Sequence, residues 1–223
     1  MAGRHEHGTP PPAAGAAARR RRAVLAGHTD DQETARSLIT DDEPSVRSAA
    51  IGALDRLGSL GVTELESALS DPSQAVRCRA LEIVAHLPAE GTTRIPGLPD
   101  LLADPDPTVV EVACWAAGER VDGADRTVGP LVGIATGHDD PLCREAAVAA
   151  LGALGHEAGL DAVLGGMEDR PPVRRRAVLA LAAFEGPGVE TALRRALEDR
   201  DRQVRQAAED LLGDSATAGE ADS

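Results

Sequence analysis

One phrase recurs six times along the chain: an acidic turn, a valine followed by arginine, and an alanine three residues further on. Its anchors are Val46-Arg47, Val76-Arg77, Val109-Val110, Cys143-Arg144, Val173-Arg174 and Val204-Arg205, spaced 30, 33, 34, 30 and 31 residues apart. A repeat of that length, built from two short helical patterns and no period-two segment, predicts an all-α, right-handed α-solenoid of about six helix pairs. The repeats run from residue 29 to residue 213 and read as one continuous body.

Counted from each anchor valine, offset 4 is always alanine: Ala50, Ala80, Ala113, Ala147, Ala177 and Ala208. Offsets 7 and 8 are apolar in every copy, from Ala53 and Leu54 to Leu211 and Leu212. Offsets 0, 4, 7, 8 and 11 fall on one face of a helix, so this stripe is core. The recurring alanine predicts a close helix crossing that a larger side chain would overpack. Upstream of each anchor lies a second amphipathic stretch, such as Leu60, Val62, Leu65, Ala68 and Leu69. Most copies join the two with an acid and a proline, as in Asp71-Pro72, Asp104-Pro105 and Asp140-Pro141. An acid before a helix and proline in its first turn suit its N-terminus. Gly58, Gly155 and Gly186 follow the second helix, where a left-handed C-cap is wanted.

This pattern resembles the HEAT-type repeat, in particular the short variety found in the bilin (PBS) lyases. The hallmark of that type is an Asp six residues before the Arg that follows Val, matched here by Asp41/Arg47, Asp71/Arg77 and Asp199/Arg205. The resemblance implies a hydrogen-bonded ladder of these residues between neighbouring repeats. Repeat three has Val110 for the arginine, repeat four has His138 for the aspartate and repeat five has Glu168. The ladder is therefore expected to lapse in the middle of the chain.

The two ends read differently. Residues 1–28, rich in Arg, Ala and Pro, read as a disordered tail, although Arg20 to Ala26 repeat the heptapeptide Arg174 to Ala180. That repetition admits a second reading, a half-repeat that caps the solenoid. Residues 214–223 read as a disordered acidic tail.

Charge is distributed unevenly about a formal net of −14. Residues 28–169 carry nine Arg against 26 acids, whereas residues 170–205 carry nine Arg against five acids. So acidic a body disfavours nucleic acid, whose binding needs many basic contacts. No apolar run reaches the ~20 residues that span a bilayer. Cys78, Cys114 and Cys143 lack CxxC spacing and are expected to be buried, reduced thiols, which suits a cytoplasmic protein.

In HEAT-like proteins the second helix lies on the concave side, and its offsets 2, 6 and 9 are read here as one shared surface. Trp115, the chain's only tryptophan, falls on it with Glu82, Glu111 and Glu145. An aromatic ring among carboxylates suits a basic or aromatic segment of a partner protein. The functional expectation is therefore a non-catalytic interaction scaffold with no catalytic residue, no metal and no cofactor. The alternative is an accessory lyase or protein-modification enzyme of the bilin-lyase-like class. Against it stand the two aromatic residues, Trp115 and Phe184, too few to wall a tetrapyrrole site. HEAT-like di-iron hydroxylases use His-Glu dipeptides on related helices. Here His5-Glu6 and His156-Glu157 are not so placed, and the related position in repeat four holds Arg144-Glu145.

Overall fold

A computed structural model describes residues 12–87 and 97–220, with side chains described from 15 to 87 and from 97 to 213. The disorder expected of residues 1–11 and 221–223 lies outside the described residues. Within them every regular element is helical. Thirteen α-helices run in the order α1 (Pro12–Ala26), α2 (Gln32–Ser37), α3 (Pro44–Arg56), α4 (Val62–Leu69), α5 (Gln74–His86), α6 (Leu98–Leu101), α7 (Pro107–Gly118), α8 (Ala124–Gly137), α9 (Pro141–Leu154), α10 (Leu160–Gly166), α11 (Pro171–Ala180), α12 (Pro187–Ala196) and α13 (Arg202–Glu220). From α2 onward they form six pairs, and each anchor valine or cysteine lies in the second helix of its pair.

The starts and stops follow the local chemistry. Pro44, Pro107, Pro141 and Pro171 occupy the first turns of α3, α7, α9 and α11, where a missing N–H costs nothing. The Asp106 and Asp140 carboxylates cap their helices by accepting from the N–H of Thr108 and Leu142, each at 2.9 Å. Gly155 closes α9 in the left-handed conformation, φ +59°. Gly186 differs from the expectation: at φ +121° and ψ 167° it is no left-handed cap and instead precedes α12.

The chain divides into two compact units, Met1–Ile83 and Val84–Ser223. In the first, α1 packs on α3 and α2. Ala23 and Ala26 of α1 are buried among Leu38, Val46 and Ala50 and among Ala35, Ala53 and Leu54. Residues 12–26 are thus a packed terminal helix rather than a tail, and Ala23 and Ala26 match Ala177 and Ala180 of the repeated heptapeptide.

In the second unit the second helices stack in series, α7 on α9, α9 on α11 and α11 on α13, while first helices α6, α8 and α10 form the other layer. The core stripe is as expected: Val109, Cys143, Val173 and Val204 at offset 0, and Ala113, Ala147, Ala177 and Ala208 at offset 4, are all buried. Helix α13 continues to Glu220, past the boundary at Gly213 where the repeat pattern stops.

Candidate interaction surface

The strongest polar feature is structural. Arg47 of α3 donates through Nε and Nη2 to both carboxylate oxygens of Asp71, at 2.8 and 2.7 Å, and through Nη1 to the Asp41 carbonyl at 2.8 Å. Arg144 grips Asp169 at 2.6 and 2.9 Å and the His138 carbonyl at 2.7 Å. Arg174 grips Asp199, both bonds 2.8 Å, and the Asp169 carbonyl at 2.8 Å. Each arginine thus ties its own acidic turn to the turn of the next repeat with two-pronged, charge-assisted bonds. Asp71 and Asp199 also accept from the backbone N–H two residues on, at Ser73 and Asp201, and Asp169 from that of Arg170.

These partners lower the carboxyl pKa values. Arg19 draws Asp41 down to about 2, and Arg144 and Arg174 lower Asp169 and Asp199. At Asp71 burial works upward, but the bonds from Arg47 and Ser73 more than offset it.

Three details correct the sequence reading. Repeat five keeps its rung because Asp169, not Glu168, receives Arg144; Glu168 instead pairs with Arg195 at 2.6 Å on the exposed side. Helix α1 supplies a rung of its own, Arg19 to Asp41 at 2.7 and 2.9 Å. The lapse in the middle is one rung with both halves replaced: Val110 is buried where the arginine would stand, and His138 stands where its aspartate would be. His138 keeps the turn, its Nδ1 accepting from the Asp140 N–H at 3.0 Å.

The exposed face of the second helices overlaps the one expected at offsets 2, 6 and 9 and extends to offset 10. With about 100° per residue, offset 9 falls between offsets 5 and 2, at the edge of the open face, so the neighbouring helix decides whether it is covered. Ala85 and Gly118 are buried there and Gly152 is half-buried, whereas Asp55, Ala182 and Gly213 are exposed. A Cβ on Gly118 would meet the Ala150 Cα at 3.0 Å, and one on Gly152 would meet the Ala180 Cβ at 2.6 Å. Offset 10 is open at Arg56, His86, Glu119, Ala153 and Ala183 and continues the face of offsets 2 and 6, on which Gly52 alone is buried among the described residues. On α7 that face reads Glu111, Trp115 and Glu119, all exposed. Glu119 and His86 were missed because offset 10 had been left off the surface.

The predicted residues have distinct fates. Trp115 is 38 % exposed and its ring tilts against that of His86, centroids 5.5 Å apart at 60°. Glu111 is exposed on the same ridge of α7. Glu145 on α9 is partly covered and receives Arg176 at 3.3 Å. Glu82 lies on α5 within the first unit and pairs with Arg79 at 2.8 Å. The carboxylates are therefore not equivalent, since Glu145 and Glu82 already hold a guanidinium.

Comparison with known proteins agrees with this geometry. The HEAT repeats model matches residues 62–152 and 95–172, and the PBS lyase HEAT-like repeat model matches residues 173–199, together covering more than half of the chain. The chain is a HEAT-repeat protein of the PBS-lyase type. No curated protein matches its sequence. Among solved structures it is similar to a designed armadillo repeat protein, at 18% identity over 82% of this chain and 98% of that one, TM-score 0.56. It is also similar to an engineered protein at 20% identity over 82% and 95%, TM-score 0.62. A second engineered protein matches at 20% identity over 92% and 65%, TM-score 0.62. Likeness at this level is likeness of fold.

Elsewhere in this HEAT-repeat chain the polar groups are occupied by local structure. His156, of the dipeptide His156-Glu157, accepts from the Ala158 N–H through Nδ1 at 3.2 Å and lies 3.6 Å from Asp125. His5-Glu6 lies outside the described residues. Among the described residues no three of His, Cys, Asp and Glu converge in a metal-binding group, and no helix is long and apolar enough to cross a membrane. The cysteines depart from expectation in one respect: Cys114 and Cys143 are buried but Cys78 is only half-buried. Burial pushes the Cys114 thiol up to about 12 and that of Cys143 up to about 11, so neither is a ready thiolate.

Proposed function

We propose that this HEAT-repeat protein is a non-catalytic interaction scaffold that receives a basic, partly apolar segment of a partner protein on the exposed stripe of α7. The observation that carries the reading is the ridge Glu111–Trp115–Glu119. Residues four apart on a helix are neighbours, so the chain's only tryptophan stands between two exposed carboxylates on one row. An indole with carboxylates on both sides suits an arginine or lysine, whose cation faces the ring and the acids while its stem covers apolar surface. The net charge of −17 over residues 28–169 speeds encounter with such a partner. Glu145 adds to this field, although it must share its carboxylate with Arg176.

Trp115 reports on its own site. Titration with a synthetic peptide of alternating arginine and leucine should shift its emission saturably, and an acidic peptide of equal length should not. Glu111→Gln with Glu119→Gln should weaken binding roughly tenfold and flatten its salt dependence. A photo-crosslinking residue at position 115 should capture a defined partner in cells, compared with one at Val62 on α4, which is 70% exposed. Equal capture at both positions, with no saturable shift by the basic peptide, would remove the reading.

A further inference from the structure

We infer that the basic segment received by α7 is the outer face of α1 in a second copy of this chain, so that the protein self-associates through its own N-terminal helix. This inference rests on the reading of the Glu111–Trp115–Glu119 ridge given above, and it names the occupant.

Helix α1 has two faces. Its inner face, Ala23 and Ala26, is buried in the first unit, and Arg19 is held by Asp41 and Asp42. The outer face carries Arg20, Arg21, Val24 and Leu25, all exposed, with Val24 at 38% and Leu25 at 53%. Arg20 and Val24 are four apart, as are Arg21 and Leu25, so each arginine lies beside an aliphatic side chain along the helix. Four arginines and no acid occur between residues 12 and 26. Among the described residues six large aliphatic side chains are exposed, and two of them lie on this one helix beside the exposed Arg20 and Arg21.

The match with α7 is one of order as well as of sign. On α7 the row is acid, indole, acid at intervals of four. On α1 the rows are guanidinium then aliphatic, also at intervals of four. Laid side by side, two such helices put Arg20 and Arg21 against Glu111 or Glu119 and put Val24 and Leu25 against the Trp115 ring. A guanidinium also stacks well on an indole face. The outer face of α1 can dock without undoing the inner one, because the two faces share no residue. The contact is heterologous, one patch on a different patch, so it closes into a ring or pair only where the rotation allows and otherwise extends. One helix-on-helix contact with few anchors falls near the lower end of interface sizes, and the net charge of −14 on each copy opposes approach, so association rests on the local pairing of α1 with α7 and is micromolar or weaker.

The test uses the whole chain. Between roughly 1 and 500 μM, the range that brackets such an affinity, sedimentation should show concentration-dependent association with a blue shift of Trp115 emission over the same range. Arg20→Glu with Arg21→Glu should reduce association at least roughly tenfold, and so should Glu111→Arg with Glu119→Arg. An equimolar mixture of the two charge-reversed proteins should recover it, which a general loss of structure would not allow. Circular dichroism and melting of each variant verify folding, since all four positions are exposed. A chain that stays monomeric throughout, or one whose association ignores both reversals, overturns the inference. The synthetic arginine–leucine peptide separates this failure from that of the parent reading. If it still shifts Trp115 in a monomeric chain, the α7 site stands and only its occupant was wrong; if it does not, both fall.

Discussion

Replacing Gly152 by alanine should destabilise the protein, although the same change in an open helix stabilises. In a helix interior, Gly→Ala gains about 0.5–1 kcal/mol, because glycine loses more backbone freedom on folding. Gly133 on α8 is the control: a Cβ there meets nothing within 4 Å. At Gly152 on α9 a Cβ would stand 2.6 Å from the Ala180 Cβ and 2.7 Å from the Ala180 Cα. Carbon atoms prefer about 3.5–4.0 Å, so α11 must withdraw by about 1 Å. The Cα cannot rotate away as a side chain could. Overpacking of this kind costs about 1–3 kcal/mol, which leaves a net loss of up to about 2.5 kcal/mol after the helix gain. Gly118 is intermediate, its nearest backbone neighbour being the Ala150 Cα at 3.0 Å. For a chain of this size 1 kcal/mol moves the melting temperature by roughly 2–4 °C. Thermal and urea unfolding should therefore rank the variants Gly133→Ala above wild type, then Gly118→Ala, then Gly152→Ala. If Gly152→Ala raises the melting temperature as much as Gly133→Ala, the second helices are not packed backbone to backbone and the stacking described for α9 and α11 is wrong.

The lapsed rung should be restorable: Val110→Arg and His138→Asp together should show a favourable coupling of about 1–3 kcal/mol in a double-mutant cycle, whereas zero coupling would mean the two positions are not halves of one rung. Because the ladder carboxylates have depressed folded-state pKa values, their stabilisation is complete above the unfolded value near 3.8 and is lost as pH falls toward about 2 for Asp41. Urea midpoints should accordingly fall steeply below about pH 4, less so in Asp199→Asn, and midpoints flat from about pH 7 to 2.5 would contradict the ladder's role. Cys78 should react with a thiol reagent in the native protein while Cys114 and Cys143 wait for unfolding; fast native labelling of Cys114 would show that α7 opens readily.

The sequence by itself determined the repeat, its two helices, its caps and its core, because these depend on local periodicity. Offsets 0, 4, 7 and 8 must be apolar wherever a helix packs on its own partner, and Val46, Ala50, Ala53 and Leu54 show the stripe as plainly in sequence as in the fold. Tertiary structure decided how the remaining flank is divided between neighbour and solvent. Periodicity alone does not say on which side the next repeat lies, so Gly118 and Gly152 looked like surface, and Glu119 and His86 were passed over. Long side chains add a second source of change, since the reach of an arginine spans more than one register. Asp169 could therefore replace an aspartate one residue earlier, Arg19 could act from a terminal helix, and Glu145 could acquire Arg176 from the following repeat. The candidate site was legible in Trp115 and Glu111, which lie on one row of one helix. Glu119 stands on the same row and was equally legible at offset 10, whereas the contact of Trp115 with His86 and the pairing of Glu145 with Arg176 depend on distances between helices, which no spacing within a single helix records.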